Sequence, residues 1–524
     1  MKLFTNGTIY TIDPSRPEVE AVLVGDDGRI AGVGSRAELE GRARETIDLA
    51  GKILIPGFND AHIHVSWLGL QLTRWVDARI HVSPDIPTII QRYAERAATL
   101  PADTWIQGMG YNEALLPEGR HLTRDDLDQA GVAHPMYLIR SCGHVAVVNS
   151  RALELAGITA ETPDPPGGVI LRDENGDPTG ILQETAMTLA QHLIPEPTIE
   201  DKKNAIQATT DYLLSLGVTT ATDPDVMPDW IEIYREMEAG GELRMRLNLL
   251  ASRRSGDQIQ PLPEKYLSDW LRLDSVKFFA DGGMTSATAA ISVPYRETGT
   301  KGVLIYETEE MADLMWESHA AGFRIATHAN GDVAIEQVLS TYELVNEREP
   351  RPDLRHRIEH LALPTKDHLK RLNALGVMIA TQAVFLPAMG ATFRRYMPEQ
   401  FYKIAYGIKD MQDAGLEVAL STDGPVVPDA NPFIGLKAAV DRHDHAGDPL
   451  GDAQGITPEE ALRAYTLSGA IMSGDEGTIG SLEVGKWADL AILSGDPLNT
   501  SPEEMLDLVV EQTYVAGELV YGRE

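Results

Sequence analysis

Two histidines separated by one residue, His62 and His64, follow a short apolar run that ends in Pro-Gly. If both lie on one β-strand, their side chains point to the same side, because side chains alternate along a strand. Two imidazoles on one side could hold a single cation, and zinc is a borderline-soft metal that accepts such ligands. The same spacing also arises by chance, so the metal interpretation depends on the rest of the chain.

The middle of the chain alternates apolar runs with amphipathic segments, a pattern that indicates βαβ units and a parallel sheet. Eight runs are expected to be strands, at residues 53–64, 218–223, 244–252, 275–281, 324–328, 356–361, 377–384 and 417–423. Eight strands are the number that closes a (β/α)8 barrel. The stretch of about 70–201 breaks the alternation, and we interpret it as an insertion after the first strand.

Both ends of the chain carry short alternating runs and turns that are typical of β-hairpins. They predict a small β-sandwich domain built from residues 1–55 plus 476–524, beside a barrel over residues 56–475. The predicted fold class is therefore α/β, a TIM-type barrel with a composite β domain and an insertion after the first barrel strand.

Residue types that bind metal fall at the carboxyl ends of the predicted strands, where barrel enzymes hold their active sites. They are His62 and His64 on the first strand, Lys277 in the fourth, His328 on the fifth, His360 on the sixth and Asp423 on the eighth. Each of them alone could be structural. Six of them at one rim indicate a metal site.

Composition excludes several classes of partner. The 524 residues carry a formal net charge of −34, which opposes binding to nucleic acid or to an anionic membrane. The single cysteine, Cys142, permits neither an intrachain disulfide nor a cysteine-based zinc site. Without an apolar leader or a run of membrane-spanning length, the expected protein is cytoplasmic and acts on a small-molecule substrate.

The chain resembles the amidohydrolase superfamily, and within it the YtcJ-like branch that includes N-substituted formamide deformylases. The motifs that carry this resemblance extend over nearly the whole chain. They are PGFNDAHIH at 56–64, GHVAVVNS at 143–150, VKFFADG at 276–282, THANGD at 327–332, RIEH at 357–360, STDGP at 421–425 and GKWADL at 485–490. Barrels of this superfamily often pair, so a homodimer is an open expectation.

By this resemblance, His62, His64 and Asp423 would bind the more buried metal, and His328 and His360 a second one. Lys277 needs a separate explanation, because an ammonium cannot bind a cation. Burial and nearby positive charge favour the neutral amine, which can take up carbon dioxide to form a bridging carbamate. A carboxylated Lys277 is the prediction, and the alternative is an ion pair with a neighbour such as Asp281.

Two residues of the predicted insertion are further candidates. Glu184 could reach the site as a rival bridging ligand, or could instead be a first-turn helix residue, where a negative charge suits the helix dipole. His144 could donate a hydrogen bond to a substrate carbonyl or oxyanion, as the resemblance implies, or could be a structural histidine bonded to backbone. Aromatic residues near the predicted rim could line an apolar pocket or pack in the core: Trp67, Trp105, Tyr111 and Phe279.

The resulting hypothesis is a metal-dependent hydrolase of carbon–nitrogen bonds other than peptide bonds. One or two divalent ions would lower the pKa of bound water toward about 7 and supply hydroxide. Zinc suits the histidine-rich set best, with manganese, iron and cobalt left open. Asp423 would accept a proton from the water and pass it to the leaving amine. Substrates would be N-substituted formamides or other N-acyl amines, with cyclic amidine deamination, lactone opening or a non-catalytic scaffold as alternatives.

Overall fold

The computed structural model describes residues 1–255 and 258–523, with the backbone alone for residue 255. Its centre is a barrel of eight parallel strands, in which each strand pairs with the next one along the chain. The strands are β1 (Phe58–Asp60), β2 (Val218–Val226), β3 (Arg246–Ser252), β4 (Leu271–Phe279), β5 (Arg324–Ala329), β6 (Arg357–His360), β7 (Met378–Thr381) and β8 (Val418–Leu420).

The first and last barrel strands meet through hydrogen bonds made just beyond their ends. The amide of Asp423 donates to the carbonyl of His62 over 2.7 Å, and the amide of His64 donates to the carbonyl of Gly424 over 2.9 Å. The predicted (β/α)8 class is confirmed, and each of the eight expected runs contains a barrel strand. The barrel strands are buried on both faces, as parallel strands between helices must be.

Helices cover the outside of the barrel and pack apolar side chains onto it. The helix Asp332–Arg348 buries Ile335, Val338 and Leu339 among others, at the three- and four-residue spacing of one helix face. The longer helices outside the insertion are Val65–Thr73, Ile199–Ser215, Pro228–Ala239, Thr308–Ala320, Asp332–Arg348, Lys366–Ala374, Phe385–Tyr396 and Pro432–Asp441. Shorter helices are Arg36–Leu39, Glu399–Tyr402, Ile408–Asp413, Pro458–Ala464 and Leu467–Ser473. No described helix combines the length and the apolar composition that crossing a lipid bilayer requires.

The run expected to be one first strand, residues 53–64, is divided between two sheets. Ile53–Pro56 pairs with Leu490–Leu493 in the terminal sheet, whereas β1 belongs to the barrel. Gly57 lies between them, and a Cβ at this position would overlap the side chain of Thr219. Because the backbone changes its pairing partner at Gly57, where no side chain fits, one continuous apolar run contributes strands to two sheets.

Strands from both chain ends form one eight-stranded sheet next to the barrel. Its strands are Lys2–Tyr10, Glu18–Val24, Ile30–Gly34, Glu45–Asp48, Ile53–Pro56, Leu490–Leu493, Val510–Val515 and Glu518–Gly522. A buried ion pair ties the barrel to the end of this sheet, because Nε of Arg246 donates to Oδ2 of Asp489 over 2.6 Å.

The segment between the first two barrel strands contains a six-stranded mixed sheet. Its strands are Val76–Asp77, Ile106–Tyr111, Met136–Arg140, Val145–Val148, Gly168–Arg172 and Pro178–Glu184, accompanied by the helices Ile86–Ala97, Arg124–Asp128, Ser150–Ala156 and Thr188–Gln191. Two short strand pairs complete the described secondary structure: Arg254–Ser255 with Gln258–Ile259, and Tyr266–Leu267 with β4.

Candidate metal centre

Three side chains from the two ends of the barrel sheet converge on one point. Nε2 of His62 and Nε2 of His64 each lie 3.3 Å from Oδ1 of Asp423. One ligand atom from each residue falls within 4.8 Å of the others, and all three residues are buried. The two histidines follow the last residue of β1 instead of lying on the strand, so their convergence depends on the turn after β1 and not on strand alternation.

The tautomer of His62 is fixed by a residue to which the sequence analysis gave no role. Nδ1 of His62 donates to Oε2 of Glu359, and Arg357 binds the same carboxylate with Nε and Nη2. Burial would raise the pKa of Glu359, but the charge of Arg357 and the hydrogen bond from His62 hold it well below its usual range. The resulting carboxylate keeps the proton on Nδ1 and leaves Nε2 of His62 free to bind a cation.

His328 and His360 form the other half of the site. Their ring centroids lie 4.5 Å apart, and the His360 ring lies 5.0 Å from that of His62. Nδ1 of His360 donates to Oε1 of Gln382 over 2.8 Å, and Nε2 of His328 lies 3.1 Å from both the carbonyl oxygen of Gly282 and Nδ2 of Asn330. Each ring therefore keeps one free nitrogen. Burial lowers the pKa of His360 to about 3 and that of His328 well below its usual value, so both rings are neutral.

Lys277 lies on β4 and is 1% exposed. Burial lowers the pKa of its amine, although the carboxylates of Glu359, Asp225 and Asp423 oppose this. Among the residues that the structure describes, no carboxylate lies within 4.0 Å of its Nζ. Asp281 instead accepts backbone hydrogen bonds from Ala290, Asn330 and Gly331. The alternative ion pair between Lys277 and Asp281 is absent from the described structure.

The donor set fits a divalent cation. Oδ1 of Asp423 is buried and has no hydrogen-bond partner among the described residues, which is costly unless a cation supplies the missing interaction. Burial raises the pKa of Asp423, but the adjacent His62 and His64 lower it well below its usual value. A carboxylate beside two imidazole nitrogens is the ligand chemistry that zinc and similar metals take.

His144 and Glu184 form a pair in the insertion. Oε2 of Glu184 lies 3.0 Å from Nδ1 of His144. Burial would lower the pKa of His144, but the charge of Glu184 raises it to about 9. Glu184 ends the strand Pro178–Glu184 and is the N-cap residue of the 3₁₀ helix Thr185–Met187, so it immediately precedes a first helical turn instead of lying in one. The structure places its carboxylate against His144 instead of within the cluster of His62, His64 and Asp423.

A cavity of about 140 Å³ opens onto these residues. His62, His64, Lys277, His328, His360, Asp423 and His144 all line it, together with Asp225 and Asn330, which the sequence analysis did not single out. Its apolar wall consists of Trp67, Phe279, Met284, Phe385, Met389, Phe393, Tyr406 and Val426. Two of the four aromatic candidates, Trp105 and Tyr111, pack instead in the core of the insertion.

Three cavity-lining residues at the carboxyl ends of barrel strands have a left-handed backbone. The φ angles are 61° at Asp225, 73° at His360 and 58° at Asp423. Such a backbone is unfavourable for residues with a Cβ, and it concentrates where surrounding structure forces side chains into a functional arrangement. It therefore marks the same rim that the side chains identify.

Comparison with known proteins agrees with this geometry. The family described as "Amidohydrolase family" matches residues 45–521. The protein YtcJ of Bacillus subtilis is 30% identical over 99% of both chains. The N-substituted formamide deformylase of Arthrobacter pascens is 32% identical over 99% of this chain and 98% of its own.

Solved structures give the same result. A structure described as an uncharacterized metal-dependent hydrolase from Pyrococcus horikoshii is 29% identical, with a TM-score of 0.76, and the match covers 96% of this chain and 99% of that one. The predicted resemblance to YtcJ-like proteins is confirmed. The chain therefore belongs to the amidohydrolase family and is a hydrolytic enzyme for carbon–nitrogen bonds other than peptide bonds.

Proposed function

We propose that this enzyme hydrolyses the amide bond of N-substituted formamides or other N-acyl amines, with a divalent cation as cofactor. The observation that carries the proposal is the convergence of His62, His64 and Asp423, with both Nε2 atoms 3.3 Å from one carboxylate oxygen. The N-substituted formamide deformylase from Arthrobacter pascens is 32% identical to this chain over nearly its whole length, and this similarity supports the substrate class.

The residues that would hold the cation are His62, His64 and Asp423, with His328 and His360 available for a second ion. Zinc suits this nitrogen-rich set best. When bound, such an ion acts as a Lewis acid and lowers the pKa of a water ligand to about 7. We also propose that Lys277 is carboxylated, because its amine is buried, has no ion-pair partner among the described residues, and is shifted toward the neutral form that reacts with carbon dioxide.

The protein groups account for the proton transfers of amide hydrolysis. Asp423 is ionised, so it can accept a proton from the water whose oxygen attacks the carbonyl carbon. The same carboxyl then returns this proton to the nitrogen as the C–N bond breaks. One water is consumed, and an acid and an amine leave.

Asp423 acts on the water and on the amide nitrogen, whereas His144 would act on the carbonyl oxygen of the substrate. As an imidazolium held by Glu184, it can donate a hydrogen bond to the negative charge that develops on this oxygen. The aromatic wall of the cavity would then accommodate an apolar substituent, either on the acyl carbon or on the nitrogen.

The test is a panel of N-formyl and larger N-acyl amines, assayed with zinc-loaded and chelator-stripped enzyme side by side. We expect zinc-dependent release of formate or another acid together with the amine. Release of ammonia from cyclic amidines, or opening of lactones, without turnover of any amide would overturn the proposal. Asp423→Asn enzyme serves as the control for contaminating hydrolases.

A further inference from the structure

A second, smaller cavity lies behind one wall of the catalytic cavity. Its volume is about 10 Å³, against about 140 Å³ for the catalytic cavity. Among the residues that the structure describes, Met389 alone lines both cavities. Met389 is buried in the helix Phe385–Tyr396, on the face that also carries Phe385 and Phe393, and all three side chains border the catalytic cavity.

Three segments of the chain run between the two cavities. In each segment, one residue lines the smaller cavity and the next residue lines the catalytic one. The pairs are Ser141 with Cys142, Ala388 with Met389, and Pro425 with Val426. The partition between the cavities is therefore one layer of residues thick, and the flexible, unbranched side chain of Met389 is part of it.

The smaller cavity suits the end of an uncharged, apolar chain. Its apolar lining residues include Ile80, Leu115, Ala388, Pro425 and Pro428. Arg79 is the charged residue among the described residues that line it, and its guanidinium is already paired. Nε and Nη2 of Arg79 donate to Asp77, and Nη1 donates to the carbonyl of Pro428. A carboxylate that entered this cavity would therefore compete with Asp77 for the guanidinium.

The catalytic cavity is small for substrates of the proposed class. An apolar cavity of roughly 150 Å³ holds one benzene ring, and a similar volume here must also hold the scissile amide. A long chain on the substrate therefore needs room beyond the present wall, and the space behind Met389 is continuous with that wall.

We propose that Met389 sets the length of the apolar substituent that the enzyme accepts, because its side chain closes the catalytic cavity against the smaller one. This inference rests on the proposed amidase function and adds the size and polarity of the substrate. With a shorter side chain at position 389 the two cavities join, and a straight chain can extend past it toward Ala388 and Pro428.

The experiment measures kcat/KM for two pairs of amides with a short and a long straight chain. N-propylformamide and N-heptylformamide carry the chain on nitrogen, whereas N-methylbutanamide and N-methyloctanamide carry it on the acyl carbon. Met389→Ala should raise the ratio of long to short chain at least about 10-fold in one of the pairs, since even one methylene that fits an apolar pocket is worth roughly 10-fold.

Two further variants separate the joining of the cavities from a general loosening of the site. Met389→Leu is the matched control, because it nearly conserves the volume and should leave both ratios within about twofold of wild type. Adding Ala388→Leu to Met389→Ala places a larger side chain in the smaller cavity alone, and should cancel most of the gain.

The outcomes separate this inference from the proposed function. Turnover of the short amides with unchanged ratios in Met389→Ala, or a gain that survives Ala388→Leu, would overturn the role of Met389 alone. No turnover of any amide by the zinc-loaded wild type would be a failure of the proposed function. Calorimetric binding of 1-butanol and 1-octanol then decides, because Met389→Ala must gain affinity for the longer alcohol relative to the shorter one. If Met389→Ala does not fold, Met389→Val removes less packing and is measured in the same way.

Discussion

Oε2 of Glu184 lies 3.0 Å from Nδ1 of His144, although 40 residues separate them in the chain. Both belong to the insertion, and the imidazole reaches the cavity whereas the carboxylate lies behind it. We therefore propose that Glu184 holds His144 in place and keeps it protonated, instead of acting as a rival metal ligand. The insertion would then supply a charged hydrogen-bond donor to the barrel site.

The pair predicts an alkaline limit to activity. Because the pKa of His144 is raised to about 9, the imidazolium is complete below its ordinary value near 6.5 and is lost as pH rises through about 9. We expect kcat/KM to fall across that window, and the stability that the pair contributes to fall with it. In Glu184→Gln the limb should move to lower pH and activity at pH 8 should drop on the order of 10²-fold. The dependence of kcat/KM on pH measures this shift, and Glu174→Gln is the control because Glu174 is exposed. An alkaline fall of kcat/KM at the same pH in Glu184→Gln and in the wild type would contradict the role of Glu184.

Asp423 should be needed for turnover more than for folding. In the Asp423→Asn variant, the side chain still offers an oxygen to the cation but cannot accept a proton. We therefore expect kcat to fall by roughly 10²- to 10⁴-fold. Metal content per chain, measured by plasma mass spectrometry beside the rates, shows whether the cation is retained. A near wild-type rate in Asp423→Asn would remove it from the proton transfer.

Gln382 should control metal affinity through His360. Its Oε1 accepts from Nδ1 of His360 over 2.8 Å, and losing such a partner typically weakens metal binding about 10- to 100-fold. Competition with a chelator should reveal this loss in Gln382→Met. Gln337→Met is a suitable comparison, because Gln337 is also buried but bonds the carbonyl of Tyr306 away from the cavity. Equal affinities in the two variants would argue against a metal on His360.

Lys277 should carry a carbamate in the metal-loaded enzyme. Carbon-13 NMR of enzyme prepared in labelled bicarbonate should show one carbamate carbon that disappears in Lys277→Met and after metal removal. Activity should fall by at least about 10²-fold in that variant if the second ion is lost. Lys202 provides the comparison, since it is buried but paired with Asp229. A carbamate signal that survives Lys277→Met would refute the assignment.

Much of the barrel is readable in the sequence, because parallel strands covered by helices must be apolar nearly throughout. The expected strand at 324–328, for example, is β5 in the structure. The prediction of one continuous first strand was wrong at Gly57, where the backbone passes from one sheet to another. An apolar run indicates that its residues are buried, but it does not indicate which sheet the backbone pairs with on either side of a glycine.

The residues that tune the site escaped the sequence analysis for a related reason. Glu359 stands inside the RIEH motif beside the expected ligand His360, yet nothing in the motif says that its carboxylate faces His62 on another strand. Gln382 is an ordinary polar residue next to an apolar run. Their functions depend on hydrogen bonds across strands, and one-dimensional spacing carries no information about such contacts.

The sequence by itself determined the identity of the cation-binding residue types and the rim on which they lie, because the chemistry of imidazole, amine and carboxylate and the direction of parallel strands suffice for that. Tertiary structure alone decided which nitrogen of each histidine is free and that Glu184 pairs with His144. These features arise where side chains distant in the chain meet around one cavity, and only the packed barrel sets those distances.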